Sequence, residues 1–146
     1  MAGKFRSGRS RINNRMVFLR GVIIWIVIMF AESLHGVARV ILLEPRVGDF
    51  KARQIAVFTG AAVILIVTAL SVRWIRAKSV SQLLGVGLLW LALTLGFEIG
   101  IGRFVAGYSW ERIASDYNIL EGGLLPIGLL VLTLAPVSAA KARDAI

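Results

Sequence analysis

The chain has no cysteine, a single histidine and only eight acidic residues against seventeen basic ones in its 146 positions. Without cysteine there are no disulfides, no thiol nucleophile, no thiolate metal site and no thiol-linked quinone chemistry. The shortage of acid leaves a net charge of +9 and a pI near 11.3. In a soluble protein that balance would point to nucleic acid, but no aromatic residues are interleaved with the basic ones here, and nucleic acid is not an expected partner. What the chain does have is apolar length. Hydrophobic residues make up 58% of it and the mean hydropathy is +0.80, above the roughly 45–50% apolar content of soluble domains.

A bilayer core about 30 Å thick needs about 20 apolar residues to cross it. Four stretches qualify, and they predict an all-α, integral membrane four-helix bundle made of one domain: about 16–36 (with the helix continuing toward Glu44), 54–75, 83–102 and 119–137. A basic tail, 1–15, precedes the membrane domain 16–138, and a short tail, 139–146, follows it. Pro45, Gly48 and Asp49 mark the first turn, with Asp49 the expected cap of the second helix. Ser79 is the expected cap of the third, and Asn118 with Glu121 suits a capping box for the fourth.

Eleven of the seventeen cations lie in residues 1–20, the 73–78 loop and the C-terminus, and six lie on the opposite side. Positive charge stays inside, so both termini are expected in the cytoplasm, with the chain multi-pass in a bacterial cytoplasmic (inner) membrane. The first span has a basic start and no small-x-small cleavage site, as in an uncleaved signal anchor. Seven of the eight acids, and the histidine, then fall at the outer, periplasmic end.

In lipid, small residues mark close helix contacts. Ala52, Ala56 and Gly60 on the second span are expected to face Gly96 and Gly100 on the third. Between the third and fourth spans, Ser109 can cap a short interfacial helix carrying Trp110, Ile113 and Tyr117 along one side. Trp110, Asp116 and Tyr117 make this helix a candidate lid over the outer mouth.

Ionisable groups inside a membrane are costly and mark function by default. On the first helix Glu32, His35 and Arg39 fall within about 60° of one another, on the face of Gly21, Trp25 and Ile28. Glu98 lies on the third helix with Arg103 five residues on. Arg53, placed against the dipole in the first turn of the second helix, calls for a carboxylate partner among Glu98, Glu32 and Glu44. Glu32, His35, Arg39, Arg53, Glu98 and Arg103 are thus the candidate polar network. Such a network can fix helix register by ion pairing, or it can hold a solute or proton, or it can do chemistry.

Glu32-x-x-His35 is half of a di-iron ligand pattern, but Arg39 beside it argues against a cation, and no metal is expected. A Glu–His acid–base pair has no nucleophile or cofactor motif beside it, so no cofactor and no catalytic residue is assigned. An arginine cluster suits an anionic ligand or lipid headgroup, phosphate or carboxylate. The expected function is a non-enzymatic accessory or ligand-binding subunit, self-associating or held in a larger membrane complex. A small proton- or ion-coupled transporter or channel comes next and an intramembrane lipid-modifying enzyme third.

Three segments together, Ala31-Glu-x-x-His35-Gly-x-x-Arg39, Pro45-x-x-Gly48-Asp49-x-x-x-Arg53-Gln54 and Phe97-Glu98-x-x-x-Gly102-Arg103, give the chain a family likeness. Over about residues 20–137 it resembles a family of small hypothetical four-span bacterial inner-membrane proteins to which no activity is attached. That resemblance implies fold and compartment, and no mechanism. Small multidrug transporters differ by a carboxylate deep in the first span, and four-helix quinone reductases by their cysteines.

Overall fold

A computed structural model describes the backbone of residues 2–145 and the side chains of residues 8, 11 and 13–145. Among these residues the chain is all helical, without strands. Helix α1 (Ala2–Ala38) passes through a π turn, Arg39–Leu43, into the short α2 (Glu44–Val47); α3 spans Asp49–Ile75 and α4 Val80–Gly100. A second π turn, Ile101–Val105, ends α4; α5 (Trp110–Tyr117) and a 3₁₀ turn, Ile119–Glu121, lead into α6 (Leu125–Ala142).

Four segments are long and apolar enough to cross a membrane: Asn13–Val47, Asp49–Ile75, Val80–Val105 and Leu125–Ala142. The first, at 35 residues, is roughly 50 Å long at 1.5 Å per residue and exceeds the core it has to cross. The stretch read from sequence as a basic tail is backbone-continuous with it from Ala2.

The helix boundaries differ from the expected ones where local chemistry differs. Pro45 does not stop the first helix; it sits in the first turn of α2, directly after the π turn. The break falls at Gly48, whose φ of +88° only glycine adopts at little cost. Asp49 is not a cap: it opens α3, and its carboxylate makes no capping bond. Asn118 and Glu121 do not start the fourth helix either. They frame the 3₁₀ turn, which ends at Gly122 (φ +90°), and α6 begins at Leu125 with Pro126 in its first turn. Ser79 and Ser109 do cap, accepting from the backbone N–H groups of Gln82 and Arg112 at 3.2 Å each.

Helices α1 and α6 each pack on both α3 and α4, whereas α3 and α4 barely meet. The expected pairing of the α3 small residues with Gly96 and Gly100 is therefore replaced by others. A Cβ at either of those glycines would meet nothing within 4 Å. The close approaches lie elsewhere. A Cβ on Gly87 of α4 would collide with the Thr133 backbone carbonyl of α6, and one on Gly21 of α1 would sit 3.1 Å from Val86 of α4. Small residues at these two crossings let backbones approach where lipid offers no hydrophobic drive to associate.

Around them Trp90, Ile28, Leu83 and Leu132 are fully buried. Trp90 Nε1 donates to the Gly21 carbonyl at 2.8 Å, and Trp25 Nε1 donates to Thr94 Oγ1 at 3.0 Å. One fully buried indole and one partly buried one thus lie between α1 and α4 with their polar handles satisfied.

Candidate functional site

The core opens into a cavity of about 300 Å³ at the end of the bundle where α2, α5 and the Gly48 and Gly122 turns lie. Its floor is apolar, made by Ile64, Leu129 and Leu132, and its upper wall carries Glu32, His35, Arg39, Arg53, Glu98 and Asp116. Five of the six residues proposed from sequence as one network, together with one of the proposed lid residues, therefore share a single space. Arg103 does not join them. It lies in the second π turn, donates to the Tyr108 carbonyl at 3.3 Å and stacks on Trp110 at 5.3 Å.

Helix α1 sets one wall. Glu32 and His35 are one turn apart, with His35 Nδ1 3.6 Å from Glu32 Oε2, too long for a hydrogen bond. The other ring nitrogen, Nε2, is 2.6 Å from Thr59 Oγ1 on α3. Gly60, one residue further along α3, leaves room for the Glu32 carboxylate: a Cβ there would sit 2.9 Å from Oε2. Two atoms on this wall are buried without a hydrogen-bond partner, Glu32 Oε1 and Arg39 Nε. Among the described residues no carboxylate lies within 4.0 Å of Arg39, and no arginine or lysine lies within 4.0 Å of Glu32 or Glu98.

Arg53 behaves differently. Its expected partners were Glu98, Glu32 or Glu44; the structure pairs it with Asp116 of α5 at 2.5 Å and with Asp49, one turn back on α3, at 3.1 Å. Asp49 also receives both terminal nitrogens of Arg112, at 2.7 and 3.0 Å. Helices α3 and α5 thus exchange acid and base reciprocally, Asp49 with Arg112 and Arg53 with Asp116. The bidentate geometry fixes orientation as well as contact.

Aromatic rings back both arginines. Phe50 lies 5.4 Å from the Arg53 guanidinium and Tyr108 3.9 Å from that of Arg112. Partial burial works against the charge of Arg112, yet its hydrogen bond to Asp49 and the charge of that carboxylate hold it protonated above its ordinary value. Burial pushes the Tyr117 phenol up as well, reinforced by the charges of Glu98 and Asp116.

Helix α5 contributes Asp116 to the cavity lining, while Trp110 is more than half exposed and packs on Arg103. Gln54 of α3 ties down the next turn by donating to the Gly122 carbonyl at 2.7 Å. Asp49, Gln54, Thr59 and Arg112 were not among the site residues read from sequence. A signal for two of them was present: Asp49/Arg53 and Arg112/Asp116 are both i,i+4 pairs of opposite charge, and nothing local shows that they exchange partners.

Chemically, the wall offers one guanidinium without an acidic partner, two carboxyl groups without a basic one, and an imidazole held by a hydroxyl. Among the described residues no three His, Asp or Glu side chains converge as metal ligands. Comparison with protein-family models, with curated proteins and with solved structures finds no match to this chain.

Proposed function

We propose that this protein is a non-enzymatic, ligand-binding or accessory subunit of a bacterial cytoplasmic membrane, with both termini in the cytoplasm and the polar cavity facing the periplasmic side. Arg39 is the observation that carries the reading. It lines a cavity of ligand size with a buried donor atom unpaired and no carboxylate within reach. Arg39 is half-buried, and a buried N–H left in that condition is costly unless something completes its hydrogen bonding. Arginine matches carboxylate and phosphate oxygens in a planar fork, so an anionic group, on a small solute or a lipid headgroup, is the expected occupant.

The reciprocal ion pairs hold α5 over the mouth as an interfacial lid. The apolar floor of Ile64, Leu129 and Leu132 favours a closed binding site over a through-pathway for protons or ions. Self-association, or membership of a larger membrane complex, belongs to the same reading.

Native mass spectrometry of the full chain purified in mild detergent tests it. A retained anionic molecule is expected on the wild type and is lost in Arg39→Ala. A wild type that retains nothing, and takes up none of a panel of anionic lipids and solutes, would overturn it.

A further inference from the structure

An anion at Arg39 leaves the other half of the cavity's charge unanswered. Glu32 and Glu98 line the same space without a basic partner within 4.0 Å among the described residues, and Glu32 Oε1 is buried with no donor. The unpaired acceptor on α1 and the unpaired donor, Arg39 Nε at the start of the π turn that continues it, are seven residues apart, about 10 Å along the helix axis. Helical side chains lean toward the N-terminus, so Arg39 reaches back over the turn of His35. Even so, neither group satisfies the other. His35 stands between them, held to Thr59.

A plain anion at Arg39 would stand beside two carboxyl groups, and a plain cation at the carboxyl groups would stand beside Arg39. Either arrangement sets like charges together in one small cavity. Arg53 does not relieve this, because Asp116 and Asp49 hold its two terminal nitrogens and only its Nε is left without a partner.

We infer that the cavity binds a zwitterion, a primary ammonium joined through a short linker to a phosphate or carboxylate, with the ammonium at Glu32 and Glu98 and the anionic oxygens at Arg39. This rests on the ligand-binding reading above and adds the second pole of the ligand. A primary ammonium brings three N–H donors, enough to reach Glu32 Oε1 and the Glu98 carboxyl together; a quaternary ammonium brings none. A space of about 300 Å³ sits at the small end of the range for ligand pockets and suits a headgroup or an amino-acid-sized solute. Two sources share this chemistry, the headgroup of an ethanolamine phospholipid and a free ammonium-bearing anion.

The experiment uses the full chain in mild detergent, exposed in separate runs to phosphatidylethanolamine, phosphatidylglycerol, phosphatidylcholine and soluble phosphoethanolamine. Bound species are counted by native mass spectrometry. The ammonium-bearing probes are expected to be retained at least about ten-fold better than the glycerol and choline lipids, the worth of one charge-assisted hydrogen bond. Retention of the lipid alone identifies a headgroup site, and displacement of the lipid by phosphoethanolamine identifies a solute site.

Glu32→Gln combined with Glu98→Gln is expected to bring ethanolamine and glycerol lipids to parity while Arg39 still holds an anion. Equal retention of phosphatidylglycerol and phosphatidylethanolamine by the wild type overturns the zwitterion and leaves the anion-binding reading standing. Retention of none of the four overturns both. The wild-type comparison decides between these outcomes even where the double variant does not fold.

Discussion

Two glycines with different neighbours separate binding from stability at the level of single residues. At Gly60 an added methyl meets the end of a flexible side chain, 2.9 Å from Glu32 Oε2. Gly60→Ala is therefore expected to displace that carboxylate and lower ligand retention while leaving detergent thermal stability almost unchanged. At Gly87 the same methyl meets the backbone carbonyl of Thr133, which cannot swing aside. Gly87→Ala is expected to cost about 1–3 kcal/mol as α4 and α6 are forced apart, lowering the melting temperature. If the two variants melt alike, Gly87 does not mark a close helix crossing.

Tyr117 supplies a pH handle at the same scale. Burial first, then Glu98 and Asp116, raises its folded pKa above the ordinary 10.0. The neutral phenol therefore stabilises the folded state fully below about pH 10, and that contribution is lost as pH climbs through the raised value. Tyrosinate absorbance is expected to show a late step that Tyr117→Phe removes, with a loss of α5 protection from proteolysis over the same window. A Tyr117 that ionises at its ordinary value would remove the basis for both.

At the level of elements, α5 is held by charge more than by apolar burial, since none of its residues is fully buried. Asp49 and Arg112 are each about 30% exposed, so their pairing is worth modest energy, on the order of 1 kcal/mol. A double-mutant cycle of Asp49→Ala and Arg112→Ala, read by protease nicking between α4 and α6, should show the double variant little worse than either single one. Strict additivity would mean that the two side chains do not hold α5.

The existence of α5 and its Ser109 cap was legible in the sequence, because a cap followed by Trp110, Ile113 and Tyr117 at helical spacing is a local signal. Its attachment was not. Asp49 looked like a cap because aspartate after glycine at a helix start commonly is one; here it turns to an arginine sixty-three positions away. The same holds for Arg53, whose need for a carboxylate was evident from the helix dipole, but whose partner Asp116 was reached only by the folding back of α5.

For the whole molecule, the proposed orientation puts both chain ends, with their excess of basic residues, on the cytoplasmic side of four apolar helices. The absence of native cysteine makes this directly measurable. Glu111→Cys and Asp144→Cys, introduced separately, are expected to label oppositely with a membrane-impermeant thiol reagent in intact cells, Glu111→Cys reacting and Asp144→Cys protected. The reverse pattern would invert the orientation, and equal labelling of both would break the four-span arrangement.

By itself the sequence determined the helical class, the four apolar segments and the face of α1 that carries Glu32, His35 and Arg39. Each follows from length, hydropathy or a 3.6-residue period along one stretch of chain. Only the tertiary structure decided which helices touch. The glycines on α4 that looked like a packing stripe face outward, while Gly21 and Gly87 make the close crossings. It also decided which charges cancel: Arg53 is spent on Asp116 and Asp49, Arg103 turns away, and Arg39, Glu32 and Glu98 are left facing one cavity. Pairing of that kind depends on the distance between atoms far apart in the chain, and no local pattern of residues encodes it.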